Sequence, residues 1–166
     1  PAYQKVEGFK LAAVMRRNTE LAKDFAQRHN VERYYDDAQQ LIDDDSVDAV
    51  YVATPPDTHK HYSLLVAQSG KPCCIEKPLA PNYKDGQTII EAFKKAAVPL
   101  FVAYYRRSLP RFNKVKSLID DGHIGDVRHV NWHLSKPANA MDLSQQYNWR
   151  TDPDIAIGGY FDDLAS

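Results

Sequence analysis

Thiols are almost absent from this chain: among 166 residues only Cys73 and Cys74 carry them, and the two are adjacent. Inside a strand-like run, neighbouring side chains point to opposite faces, so the pair can neither bond to each other nor share a metal. They read as small core residues in a reducing, cytoplasmic setting. Long hydrophobic runs are missing too, for no stretch approaches the roughly 20 residues that a membrane span needs. No signal-peptide pattern opens the sequence, so a soluble protein without a membrane partner is expected. Nor is there an excess of either charge: 21 Lys and Arg face 22 Asp and Glu, a formal net charge of -1. Spread through the chain, these charges leave no nucleic-acid footprint, and a small solute is the expected partner.

Several chemical motifs are also lacking. Without a G-x-S-x-G elbow, an H-E-x-x-H pair or a Walker phosphate loop, hydrolytic readings have no nucleophile. His129 and His133 would share a strand face roughly 13 Å apart at about 3.3 Å per residue, too far for one metal ion. His59 and His61 stand two apart at a helix start and do not face each other. No metal site is expected.

What the sequence does contain is an alternation of short apolar runs and helical patterns. Leu11 to Met15 reads as a buried strand, followed by a helix with Asn18 as N-cap, a Leu21, Ala22, Phe25, Ala26 stripe and Asn30 at its end. A shorter helical pattern carries Ala38, Leu41 and Ile42, and Ala49 to Ala53 forms the next strand. Thr54-Pro55-Pro56 ends it. A helix marked by Tyr62, Leu65 and Val66 and finished by Gly70 leads to the Cys73 to Glu76 strand. Ile89, Ile90 and Phe93 mark one more helix before Leu100 to Ala103. The order β-α-α-β-α-β-α-β predicts a doubly wound parallel α/β domain over residues 1–105.

Beyond Tyr105 the pattern changes. A helix carrying Phe112, Val115, Leu118 and Ile119 stops at Gly122, and Val127 to Leu134 then alternates strictly, with Val130, Trp132 and Leu134 on one face. That alternation predicts an antiparallel strand solvated on one side, so residues 106–166 read as the start of an α+β domain with an open antiparallel sheet. Ser135 to Tyr147 reads as a loop.

The tripeptide Glu76-Lys77-Pro78 is the strongest functional clue. It sets a lysine just beyond the carboxyl end of a buried strand, where ligands of open α/β sheets bind, and a proline stops the strand there. A plain solvated strand end is the alternative.

The ordered set Ala53-Thr54-Pro55-Pro56 with His59, Gly70-Lys71-Pro72, Glu76-Lys77-Pro78-Leu79-Ala80, Tyr105-Arg106-Arg107, Ile124-Gly125-Asp126-Val127, Trp149-Arg150 and Gly158-Gly159-Tyr160-Phe161-Asp162-Asp163 resembles the glucose-fructose oxidoreductase / inositol dehydrogenase / MocA family. The resemblance covers essentially the whole chain. It implies a Rossmann-type domain and hydride transfer between a nicotinamide and a carbinol or carbonyl carbon of a sugar, cyclitol or dihydrodiol. Lys77 would hydrogen-bond the reacting oxygen, and Asp163 would orient the family's acid/base histidine. Thr54, Pro55, His59, Glu76 and Lys77 would line the nicotinamide half of the cofactor, with Trp149 and Arg150 beside it. Tyr105, Arg106 and Tyr160 would face the substrate. The resemblance further implies a Lys77-Pro78 cis bond and a homo-oligomer paired through the second domain's sheet.

Two departures stand out: Ile157 replaces the first of three glycines in many relatives, and Ala165 replaces a glycine before the histidine. On the resemblance the sequence reads as an internal segment. A glycine-rich strand-turn would precede it, and Asp163-Leu164-Ala165-Ser166 stops one residue short of the histidine. In the implied strand order 3-2-1-4-5-6, the missing first strand would leave a gap between the Phe9 to Met15 and Ala49 to Ala53 strands, so these 166 residues are not expected to be the whole folding unit. NAD-preferring enzymes usually carry an acid at the end of the second strand, but here Arg16-Arg17-Asn18 follows Met15. NADP is therefore the expected cofactor, bound at its 2′-phosphate by Arg16 or Arg17, with NAD the alternative. A non-catalytic sensor or partner-binding subunit on the same fold is the competing reading.

Overall fold

Asn18 starts the first helix. In the computed structural model, which describes residues 5–138, 140–144, 146–156 and 158–164 (the side chains of 162–164 excepted), its backbone is extended. Its side-chain oxygen accepts a hydrogen bond from the Leu21 N–H, so α1 runs Thr19–His29. Asn30 closes α1 in the left-handed region, at φ 53°. Before α1 lies β1 (Ala13–Met15), and after it β2 (Arg33–Tyr35) pairs with β1 in parallel. Asp37 then caps α2 (Ala38–Asp43) by accepting from the Gln40 N–H.

A second parallel sheet holds β3 (Val50–Val52), β4 (Cys73–Ile75) and β5 (Leu100–Val102), with β4 central. Its crossovers are α3 (Pro56–Gln68) and α4 (Tyr83–Ala96). Parallel strands joined by helices make a Rossmann-type α/β fold, as expected. Ile42 of α2, Val66 and Ala67 of α3, Ile89 and Phe93 of α4, and Val52, Cys73 and Ile75 of the sheet form one buried cluster. Truncating a ring as enclosed as Phe93 would cost about 3–5 kcal/mol. No hydrogen-bonded ladder joins β1 to β3 among the described residues, and α2, which packs on β1, β2 and α3, spans the break.

Three expectations are corrected. A strand, β2, stands between the two expected helical patterns, where no element was expected; its Arg33-Tyr34-Tyr35 sequence is polar and mostly exposed, so it carried no apolar run to read. Phe9 lies outside β1 and is 66% exposed. Residues 126–138 hold no strand: ladder partners make a strand, alternation alone does not, and among the described residues nothing pairs with this segment. Val130, Trp132 and Leu134 are all exposed, and the expected antiparallel sheet is not formed among the described residues.

The chain divides into two compact units, residues 1–102 and 103–166. The second holds a 3-10 turn (Tyr105–Ser108), α5 (Pro110–Asp120), α6 (Ala140–Leu143), a 3-10 turn (Trp149–Thr151) and α7 (Gly159–Leu164). Among the described residues no helix is long and apolar enough to cross a membrane.

Asp44, at the end of α2, gathers hydrogen bonds from several segments. Its carboxylate accepts from the Ser46 N–H (2.9 Å), the Ser46 hydroxyl (2.8 Å) and the Tyr35 hydroxyl (3.0 Å), while Arg33 Nη1 lies 3.1 Å from both oxygens. Lys71 Nζ donates to its main-chain carbonyl at 2.8 Å. The Ser46 N–H and hydroxyl, followed by Tyr35 and Arg33, hold the carboxyl well below the usual carboxylate range. A depressed folded-state pKa contributes stability that is complete above about pH 4 and is lost as the pH falls through the folded value. Asp44→Ala should therefore lower the melting temperature by about 3 °C near neutral pH, and the difference should shrink steadily below about pH 4. A difference that stays constant on acidification would reject this account.

Candidate active site

The site is built where β3 and β4 end side by side, Val52 opposite Ile75. From β3 the chain passes through Thr54 and Pro55 into α3, whose N-cap is Pro55 with no side-chain hydrogen bond and whose first residue is the buried Pro56. The start of α3 has no capping side chain: Pro56 carries no N–H, and the Thr58 N–H donates to the Pro55 carbonyl at 3.0 Å. From β4 the chain passes through Glu76 and Lys77 to Pro78, and the Lys77–Pro78 bond is cis.

This second turn is tied from three sides. The Glu76 N–H donates to the Val52 carbonyl at 2.9 Å, continuing the ladder past β4. The Glu76 carboxylate accepts from the Tyr51 hydroxyl at 2.6 Å and from the Lys77 N–H at 3.2 Å. His59 of α3 reaches both turns, with Nδ1 2.9 Å from the Pro78 carbonyl oxygen and Nε2 2.8 Å from that of Thr54. Thr54, Pro55, His59, Glu76 and Lys77 are therefore brought together. His59 was expected to line the ligand, but its ring is fully buried and both nitrogens meet main-chain carbonyls, so it offers a ligand no atom. It stands behind the turn.

Arg16 and Arg17 follow β1, exposed, with the Arg16 N–H donating to the Tyr35 carbonyl at 3.1 Å. Two cations at one strand end and a half-buried lysine beyond another are cationic groups whose chemistry fits a phosphate-bearing dinucleotide.

In the second unit, Asn148 is a polar hub that the sequence alone did not reveal. It is 7% exposed, and its amide donates to the Tyr160 hydroxyl at 2.9 Å and to Asp142 at 3.0 Å. Its carbonyl oxygen accepts from the Arg150 N–H at 3.1 Å, and the Arg150 guanidinium stacks 4.5 Å from the Trp149 ring centroid. Asn before a turn is the signal that could have revealed it. Trp149, Arg150 and Tyr160 are thus assembled together, while Tyr105 and Arg106 lie in their own 3-10 turn. Gly159 sits at φ 52°, a left-handed conformation that favours glycine, while an added Cβ would make only an ordinary 3.5 Å contact with the Arg150 carbonyl oxygen. Asp163 belongs to α7, but its side chain lies outside the described residues, as do Ile157 and Ala165 entirely.

Comparison with known proteins bears directly on this arrangement. A family model described as an oxidoreductase family with an NAD-binding Rossmann fold matches residues 1–104, and a GFO/IDH/MocA C-terminal domain model matches residues 112–166. The chain belongs to the GFO/IDH/MocA oxidoreductase family. It is 41% identical to Oxidoreductase P35 of Formosa agariphila over 99% of this chain and 52% of that protein. It is 37% identical to the scyllo-inositol 2-dehydrogenase (NADP(+)) of Bacillus subtilis over 74% of this chain and 37% of that protein. A solved levoglucosan dehydrogenase in complex with NADH and levoglucosan superposes with a TM-score of 0.80 at 27% identity, covering 93% of this chain and 42% of that one. The chain thus spans about half the length, or less, of the relatives it matches.

The thiols of β4 lie just before Lys77 in the chain, and neither is poised as a nucleophile. Burial pushes Cys73 up to about 12, with the neighbouring Cys74 adding to it, and burial also raises Cys74. With thiolate scarce, both should react slowly with an aromatic disulfide reagent at neutral pH, Cys74 before the fully enclosed Cys73. Prompt labelling of Cys73 in the folded protein would contradict this.

Proposed function

We propose that this chain carries the lysine-bearing and cofactor-binding part of an oxidoreductase. The reaction moves a hydride between a nicotinamide cofactor, NADP by preference, and a carbinol or carbonyl carbon of a sugar, cyclitol or dihydrodiol. The observation that carries this reading is the position of Lys77: it sits on a turn pinned by Val52, Tyr51 and His59, just past the carboxyl end of the central strand β4. The names of relatives support the substrate class, since they act on scyllo-inositol and levoglucosan.

The cofactor would supply the hydride acceptor or donor. Lys77 would hydrogen-bond the reacting oxygen and stabilise the charge that grows on it as the carbon changes oxidation state. Thr54, Pro55 and Glu76 would line the nicotinamide half. From the second unit, Trp149 and Arg150 would also meet the cofactor, Tyr105, Arg106 and Tyr160 the substrate, and Asp163 would orient an acid/base partner. Replacing Lys77 with Met in the complete protein should lower kcat/KM by roughly a hundredfold or more, about 3 kcal/mol of transition-state stabilisation, with cofactor affinity little changed. Unaltered turnover would remove Lys77 from the reaction.

Cofactor choice depends on the end of β1. Relatives differ here, one named for NADP(+) and another solved with NADH, so the residues of this chain must decide. No carboxylate follows Met15, and Arg16 and Arg17 supply guanidiniums suited to a 2′-phosphate. Exchanging both for Ala should weaken NADPH binding by roughly tenfold to a hundredfold while NADH binding changes little. Equal affinity of the unmodified protein for the two cofactors would reject the preference.

A further inference from the structure

His59 is a fully buried polar ring to which hydride transfer assigns no task. It lies in the N-terminal part of α3, where its own carbonyl accepts from the buried Ser63 hydroxyl, and the neighbouring Thr58 hydroxyl bonds the Pro55 carbonyl at 2.8 Å. The helix start is therefore fixed on both sides of the ring. From that fixed base the two ring nitrogens meet two carbonyls, those of Thr54 and Pro78, each at the end of a different strand. Carbonyl oxygens only accept, and a neutral imidazole carries a single N–H, so a bond donated to the lysine turn requires that hydrogen on Nδ1, with Nε2 then meeting the Thr54 carbonyl without donating to it. The ladder joins the two strand ends as far as the Glu76 N–H and the Val52 carbonyl, and beyond that point the His59 ring spans the two turns.

We propose that His59 is a positioning residue for Lys77. Its Nδ1–H fixes the Pro78 carbonyl and with it the direction of the adjoining lysine, while its Nε2 side refers that turn to the end of β3. The consequence for rate rests on the oxidoreductase reading; the positioning itself does not.

Two conservative variants of the complete protein separate the two bonds. His59→Asn keeps a donor near the Nδ1 position, and His59→Gln keeps one near the Nε2 position. The Gln variant should shift the Lys77 amide resonance and speed its hydrogen exchange by about tenfold relative to the Asn variant, with NADPH affinity in both within about threefold. With scyllo-inositol or levoglucosan and NADP as trial reactants, kcat should fall about tenfold further in Gln than in Asn at similar KM, and neither change should add to the loss in a Lys77→Met background. Equal behaviour of the two variants, or losses that only track melting temperature, overturns the proposal. Should neither variant fold, 15N-histidine NMR of the unmodified protein decides: a protonated Nδ1 supports it and a bare Nδ1 overturns it. The NMR measurements need no substrate, so an absence of dehydrogenase turnover would sink the proposed function and leave this inference to be judged separately.

Discussion

A parallel strand of three residues cannot by itself hold the backbone beyond its end, and the candidate site depends on how β4 escapes that limit. Cys73 and Ile75 are buried, and the ladder to Val52 continues one residue further through the Glu76 N–H. The backbone groups of β4 are paired on both edges, since β3 and β5 flank it. Past Glu76 the ladder ends and side chains take over, first the Tyr51 hydroxyl and then the His59 ring. The lysine is placed by core burial on one side and by two polar contacts on the other.

That division explains which parts of the molecule were legible in the sequence. α1 was readable at both ends because Asn18 and Asn30 each have a local reason to be there, one as a cap and one as a left-handed residue. α4 gives no such sign at its end, where Ala97 takes φ 55° although alanine has no special tolerance for it. There the Ala97 N–H donates to the Lys94 carbonyl and the Val98 N–H to that of Phe93, a backbone closure that no single residue announces. β2 was invisible for a related reason, because its identity lies in its pairing with β1 and not in its own apolar content. The opposite error arose at Val127 to Leu134, where a strong local pattern met no partner among the described residues.

The candidate site divides along the same line. Lys77, Thr54 and Pro55 could be picked out because a strand end followed by proline is a local motif with a topological meaning. His59 could be picked out but not understood, since whether a histidine points into a cleft or behind a turn depends on contacts between segments far apart in sequence. Asn148 was passed over because its partners, Asp142 and Tyr160, come from a poorly periodic stretch and from a helix beyond it.

The Asp44 hub carries a mechanical consequence. Arg33 and Tyr35 belong to the β1–β2 sheet, whereas Lys71 leads directly into β4 of the other, and all three converge on one residue between them. Among the described residues no ladder crosses from sheet to sheet, and this polar knot and the packing of α2 are links between them. Asp44 thus faces both sheets with different groups, its carboxylate holding Arg33 and Tyr35 and its main-chain carbonyl holding Lys71, so protonating or deleting the side chain would loosen one half of the knot and leave the other in place.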